Sequence, residues 1–211
     1  MLPVALIVLA KVPVAGRVKT RLCPPCSEAE AAELAAAALA DTLDAVAVTP
    51  VARRVLVLHG QSGQWLPPGF EVVAQRGDTL ARRLVAAFED VGGPALLIGM
   101  DTPQVTPSLL TAAAEGLLSD GTDAVLGPAE DGGLWALGLR RADRRVFDGV
   151  PMSQPCTGSE QLARLRGVGL AVRVLPGQRD VDDFDDARTV AAGAPDTRFA
   201  ALLGRFTRPS A

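Results

Sequence analysis

Tyrosine is absent from this sequence, and histidine occurs once, at His59. Chemistry built on a histidine base or a Ser-His-Asp triad is therefore disfavoured. His59 itself falls at the end of an apolar run and reads as a surface or turn residue. Cysteine is scarce too: three residues cannot build a disulfide framework. Cys23 and Cys26 form a Cys-x-x-Cys pair, a spacing that can serve redox or metal chemistry. No second pair completes a zinc site, and Cys156 is distant in sequence. No block of basic residues appears, and the net charge is only −3. A nucleic-acid surface, which needs a concentrated positive face, is not expected. Long apolar runs are missing as well. Leu2 to Ala10 is too short to span a bilayer and lacks the basic flank of a signal peptide, so a cytoplasmic location is expected.

Lysine is the most telling shortage. The 21 basic residues include two lysines, Lys11 and Lys19, and both fall in one loop. Elsewhere arginine serves as the cation. A lysine kept against that bias suggests a position needing a compact ammonium, since the two side chains are not interchangeable at a phosphate.

What is present is a core. Apolar residues make up 48% of 211 residues, enough for one well-buried domain spanning 1–211. Strand and helix patterns alternate from end to end. Leu2 to Ala10 reads as a strand buried on both faces. Ser27 with Glu30 is a capping box for a helix from Glu28 to about Val48. Strands are expected at Arg54 to His59, Phe70 to Ala74, Ala95 to Gly99, Asp123 to Leu126, Leu134 to Leu139 and Ala171 to Leu175. Helices are expected at Thr79 to Glu89, from Thr106-Pro107 to Leu118, around Glu160 to Arg166, and from Asp183 onward. This order implies an α/β fold with a mostly parallel sheet. The short Gly132-Gly133 link between two strands implies one antiparallel insertion. In such sheets ligands lie beyond the carboxyl ends of the strands.

Four acidic or basic loops occupy those ends. Residues 10–22 carry Lys11, Arg17, Lys19 and Arg21 around Gly16. The stretch is not a P-loop, because Arg17 and Val18 separate Gly16 from Lys19. Its chemistry is related: a glycine admits close approach of a ligand, and the cations can neutralise a pyrophosphate. A solvated basic loop is the plainer alternative. Asp101 follows the strand at 95–99 and suits a divalent cation held against phosphates, or else a turn. Glu130-Asp131-Gly132-Gly133 is a second acidic turn, readable also as an ordinary hairpin. Asp180-Val181-Asp182 is a third, with the two carboxylates on one side if the chain is extended. Asp183, Asp185 and Asp186 suit a helix start.

These segments together resemble the DUF2064 group of GT-A-fold transferases. The resemblance rests on Ala10-Lys11 with Gly16 and Lys19-Thr20-Arg21-Leu22, then Gly99 to Pro103, Gly127 to Gly133 and Asp180 to Asp182. It implies a nucleotide-diphospho-sugar transferase fold, related to nucleotidyltransferases of molybdenum-cofactor and F420 biosynthesis. It further implies that Ala10, Lys11, Gly16, Lys19, Arg21 and Asp101 contact the nucleotide. Gly77, Leu80 and Arg83 loosely resemble an element near base and ribose, with Ala81 where the family has a second glycine. Asp101 would hold Mg²⁺ or Mn²⁺; Asp180 or Asp182 would supply the second carboxylate, as the chain has Asp101-Thr102-Pro103 in place of Asp-x-Asp. Lys19, Asp101 and Asp131 form the expected catalytic set. Gly132, Gly133, Ser153 and Thr157 fall on the acceptor side, where Met152-Ser153-Gln154 replaces the family's Trp-Ser-Thr. The reading that leads is metal-dependent glycosyl transfer from a nucleotide-sugar to a small-molecule acceptor. Nucleotidyl transfer with loss of pyrophosphate, and nucleotide binding without catalysis, stand beside it.

Overall fold

A computed structural model of the chain describes residues 1–206. Among these residues seven strands form one sheet: β1 Leu2–Lys11, β2 Val51–His59, β3 Glu71–Ala74, β4 Ala95–Gly99, β5 Ala124–Pro128, β6 Leu134–Leu139 and β7 Val172–Val174. Their order is β3-β2-β1-β4-β6-β5-β7. Only β6 runs against its neighbours, pairing antiparallel with both β4 and β5. The parallel sheet with a single antiparallel strand is thus as the sequence implies. Because the other six strands share one direction, their carboxyl ends fall on a single edge.

Among the described residues there are six α-helices: α1 Glu28–Val48, α2 Leu80–Val91, α3 Pro107–Leu118, α4 Thr157–Gly167, α5 Phe184–Gly193 and α6 Arg198–Phe206. β1 sits between β2 and β4, and Val4 to Val8 are at most 5% exposed, which its unbroken apolar run requires. One face of the sheet packs on α1 and α3 through Leu6, Val8, Leu39, Leu43, Leu96 and Leu110. The opposite face buries Ile7, Val55, Leu84, Phe88, Leu97 and Leu165 with α2 and α4.

The helix starts follow from their caps. Ser27 accepts a hydrogen bond from Glu30 N, and the Glu30 carboxylate accepts one from Ser27 N at 2.8 Å. The Thr79 and Thr106 hydroxyls cap α2 and α3 by accepting from Arg82 N and Leu109 N, with Pro107 opening α3. Asp183 closes a capping box with Asp186 at the start of α5.

Several boundaries differ from the sequence pattern, most of all the starts of β2 and α4. β2 begins at Val51, since Arg53 and Arg54 are strand residues whose charges are met locally. Arg53 pairs with Glu71 at 2.7 Å, and Arg54 donates to the carbonyls of Val46 and Thr49. α4 begins at Thr157, and short 3-10 turns at Thr20–Leu22 and Arg144–Phe147 carry no pattern strong enough to read.

A third apolar cluster lies on the outer side of α1. It joins Leu22 and Cys26, at the end of the first loop, to Val181, Ala187, Phe199 and Leu203. The last acidic segment is thereby tied to the loop that carries Lys19. Among the described residues, no helix is long and apolar enough to cross a membrane.

Candidate functional site

The first loop is shaped by buried anchors on either side of its lysine. Val18 is 3% exposed in the main core, and Leu22 is fully buried in the third cluster. The backbone turns through two left-handed positions, Gly16 at φ 73° ahead of Val18 and Lys19 at φ 47° between the two anchors. A left-handed lysine is uncommon and costs on the order of 1 kcal/mol, so its surroundings must hold it there. They do so through charge. Lys19 Nζ lies 3.0 Å from Asp101 Oδ1 and 3.4 Å from Asp182 Oδ1, with its side chain only 10% exposed. Arg21, on the outside, reaches the other oxygen of Asp182 at 3.5 Å.

Asp101 leaves the end of β4, and Asp182 follows the last strand on the same edge. Val181 N donates to the Asp101 carbonyl at 3.0 Å and fixes the two segments backbone to backbone. Gln104 adds a second tie, donating from Nε2 to the Arg179 carbonyl at 2.7 Å. Lys11, Lys19, Arg21, Met100, Asp101 and Asp182 are among the residues lining a cleft of about 220 Å³ here.

Asp180 faces a different set of partners. Its carboxylate accepts a hydrogen bond from the Thr102 hydroxyl at 2.9 Å. Its pKa is pushed up to about 7, chiefly by burial and further by the charges of Asp101 and Asp131; Thr102 and Lys19 pull the other way. Asp180 and Asp182 are therefore not a matched pair, although alternation along an extended chain puts them on one side. Asp182 meets the lysine, and Asp180 meets the threonine.

The acidic turn after β5 is held by its own backbone. Asp131 accepts from Gly133 N at 2.8 Å, and Glu130 N donates to Gln178 O at 3.0 Å. Arg179 bonds both Glu130 and Asp186, the latter at 2.9 Å, so one guanidinium joins this turn to the start of α5. Gly132, at φ 88°, has no room for a side chain: a Cβ there would lie 1.8 Å from the Pro155 carbonyl oxygen. Its own carbonyl accepts from Gly158 N at 2.7 Å. The turn and the start of α4 are thus one packed unit.

The expected residues divide clearly. Lys11, Lys19, Arg21, Asp101 and Asp182 come together in the cleft, and Asp180 and Asp131 lie close enough to interact electrostatically beside it. Gly16 lies further out, beside the Glu28 carboxylate. Ala10 is 2% exposed, and its carbonyl accepts from Gln75 Nε2 at 2.7 Å. Gly77, Leu80 and Arg83 do not line the cleft; Arg83 Nε donates to Gly77 O at 3.1 Å. Thr157 is buried, accepting from Gln154 N and donating to Pro151 O, while Ser153 is exposed with φ 58°. Cys23 and Cys26 carry free thiols in the third cluster; burial pushes the Cys26 thiol up, helped by the Glu30 charge and by Cys23. His59 is exposed at the end of β2.

The roles of Thr102, Gln104 and Arg179 escape a reading of the sequence. With Glu130 of the acidic turn, they organise the acidic loops through contacts between distant segments, and nothing local signals such pairings. Trp65, in the loop after β2, is 41% exposed.

The donors suit a hard divalent cation. Asp101 and Asp182 offer carboxylate oxygens, and both already contact one positive charge, the Lys19 ammonium, which stands where such a cation would stand. Among the described residues no three His, Cys, Asp or Glu side chains are grouped to hold a metal by themselves. Two carboxylates completed by phosphate oxygens and water are the arrangement that Mg²⁺ commonly takes.

Comparison with known proteins agrees with the architecture. A protein of Desulfovibrio desulfuricans G20, described as a candidate nucleotide-diphospho-sugar transferase, superposes with a TM-score of 0.84. It is 27% identical, over 97% of this chain and 95% of its own. A CMP-2-keto-3-deoxy-manno-octonic acid synthetase complexed with CTP superposes at 0.61 with 14% identity, over 92% and 99% of the two chains. A Mycobacterium tuberculosis H37Rv protein in complex with manganese gives 0.50 and 21%, over 91% and 100%. The last two likenesses concern the fold alone, which is that of the nucleotide-diphospho-sugar transferases. No match was found among curated proteins. The family model that matches takes in Asp101 and the Glu130 to Gly133 turn, while the first loop and Asp180 to Asp182 lie outside the matched span. With residues 33–154 matched, more than half of its length, the chain belongs to DUF2064, the family described as uncharacterized proteins conserved in bacteria.

Proposed function

We propose that this protein is a metal-dependent transferase that uses a nucleotide donor, with glycosyl transfer from a nucleotide-sugar as the leading reaction. The observation that carries the reading is the meeting of Lys19, Asp101 and Asp182 at the carboxyl edge of the sheet, with Lys11 and Arg21 in the same cleft. Three cations around a small cleft favour a diphosphate, and two carboxylates favour the Mg²⁺ or Mn²⁺ that accompanies it. When bound, the cation would offset charge developing on the departing nucleoside diphosphate. Lys11 and Arg21 would hold the phosphates in line and reduce the freedom lost at the moment of reaction. Asp131 is exposed beside Asp180, which favours it as acceptor of the proton from the incoming hydroxyl. The Gly132-Gly133 turn and Ser153 would border the small-molecule acceptor.

Nucleotidyl transfer is the second reading, and the same three cations support it, because they suit a triphosphate equally well. A phosphorylated acceptor attacking the α-phosphorus needs no base, so Asp131 would be dispensable. Thermal-shift measurements against nucleoside triphosphates and nucleotide-sugars, with and without Mn²⁺, test both readings. Glycosyl transfer predicts stabilisation by a nucleotide-sugar with Mn²⁺ and release of nucleoside diphosphate when an acceptor is supplied. Nucleotidyl transfer predicts stabilisation by a triphosphate and release of pyrophosphate. Stabilisation without metal, and without turnover of any acceptor, would leave a nucleotide-binding protein only.

A further inference from the structure

The Lys19 ammonium is an internal cation in the place a divalent ion would take. It contacts both Asp101 and Asp182, and its side chain is 10% exposed. Each carboxylate is thus within 3.4 Å of one point, close enough for modest rotations to bring both to about 2.0–2.6 Å from a smaller ion. Lysine and metal cannot occupy that point together. A divalent ion arriving alone must displace the ammonium, leaving it stripped of both partners next to a new dication. A divalent ion arriving with phosphate brings the ammonium a new anionic partner.

The backbone points the same way. Lys19 is held in a left-handed conformation, φ 47° and ψ 37°, between the buried Val18 and Leu22. The ion pairs help keep it there, and release of the side chain would free a strained position at a hinge flanked by fixed points. Residues 14–22 are also tied by short-range turns, Arg17 N to Val14 O and Leu22 N to Lys19 O, which leave the side chain as the part able to swing.

Resting on the nucleotide-transferase reading, we propose that Lys19 is a resident counter-ion that keeps divalent metal from binding Asp101 and Asp182 alone and yields only to metal that comes with a phosphate. Metal and phosphate then bind as one unit, each raising the affinity for the other. The site avoids holding a bare cation that could direct chemistry at the wrong molecule. Lysine suits this role because an ammonium is a compact point charge that one rotation carries from carboxylate to phosphate, whereas a guanidinium would remain forked onto the carboxylates.

The test is Mn²⁺ binding to the full chain, followed by paramagnetic resonance of the free ion, with inorganic pyrophosphate as the phosphate probe. The parent protein should bind Mn²⁺ alone weakly, and pyrophosphate should tighten it by at least about tenfold, the scale of a modest coupling. Lys19→Met should bind Mn²⁺ alone at least about tenfold more tightly than the parent, because a unit charge against the carboxylates is gone. Lys19→Arg should stay as weak as the parent. Equal Mn²⁺ affinity in parent and a folded Lys19→Met would overturn the proposal. Isotope-labelled lysine resonances give a check independent of any variant, since only Lys11 and Lys19 contribute. Mg²⁺ alone should leave both signals in place, and Mg²⁺ with pyrophosphate should move Lys19. A Lys19 signal that moves with Mg²⁺ alone, or stays fixed while calorimetry shows pyrophosphate bound, would overturn it too. Failure of any phosphate to bind while Lys19→Met still gains Mn²⁺ would instead count against the transferase reading.

Discussion

Val181 donates its backbone N–H to the carbonyl of Asp101 at 3.0 Å, joining the last acidic segment to the end of the central strand β4. Val181 is 1% exposed and packs in the cluster that contains Leu22. The segments carrying Lys19, Asp101 and Asp182 are therefore held by the buried Val18, by one small apolar cluster and by two hydrogen bonds between the loops. This places the charged site under the control of apolar residues that never touch a ligand.

Leu22→Ala should lower stability by about 2–5 kcal/mol, the usual range for emptying a fully buried leucine site. It should also weaken phosphate binding, because the loop end that positions Lys19 loses its anchor. Urea denaturation gives the first quantity and calorimetry with pyrophosphate the second. A loss of stability with unchanged phosphate affinity would separate the cluster from the site.

Asp180 gives the protein a pH dependence with a definite sign. Its folded pKa, raised to about 7, lies above the unfolded value near 4. Between those values the folded state keeps a proton that the unfolded chain has lost. Its contribution to stability is therefore complete below about pH 4 and is lost as pH rises through about 7. Asp180→Asn keeps an acceptor for Thr102 and removes the titration. Relative to the parent, the variant should gain stability at pH 8 and gain little at pH 4. Denaturation midpoints at the two values decide it, and an equal shift at both would contradict the assignment.

Gly132→Ala should be strongly destabilising or abolish folding of the turn, because its Cβ would meet the Pro155 carbonyl at 1.8 Å and φ is 88°. Gly69→Ala is the control: it also has positive φ, yet nothing lies within 4 Å of its Cβ. The difference between the two melting temperatures measures the contact between the acidic turn and α4. Equal losses would reduce the effect to backbone conformation.

Arg179→Met should cost little stability, since solvent screens the ion pairs of its exposed guanidinium. It should nevertheless loosen the Glu130 to Gly133 turn relative to α5. Amide hydrogen exchange at 130–133 should quicken while exchange in β4 stays unchanged. Unchanged protection at the turn would mean that its own backbone bonds suffice.

The fold was legible because its signals are local. The apolar run of β1, the Ser27–Glu30 box and the Thr106-Pro107 start each encode their element within a few residues, and all three occur as read. Clustering of the loops followed from the alternation of strands and helices, which implies parallel strands with their carboxyl ends on one edge. The partners within the site were not legible. That Asp182 meets Lys19 while Asp180 turns to Thr102 depends on Val181 being pinned in a cluster built from both ends of the chain. The start of β2 was hidden for a related reason: Arg53, just before the expected strand, looks like a loop residue until Glu71 supplies its partner.

The central claim is that Asp101 links metal to nucleotide in this cleft. Asp101→Asn keeps the shape and removes the charge, and it also releases Lys19 from its 3.0 Å partner. The most direct measurement is nucleotide-sugar affinity for the parent with Mn²⁺, the parent with EDTA, and Asp101→Asn with Mn²⁺. The account predicts tight binding only in the first, with the other two weakened by about tenfold or more and similar to each other. Three equal affinities would contradict it and return Asp101 to the role of a turn residue.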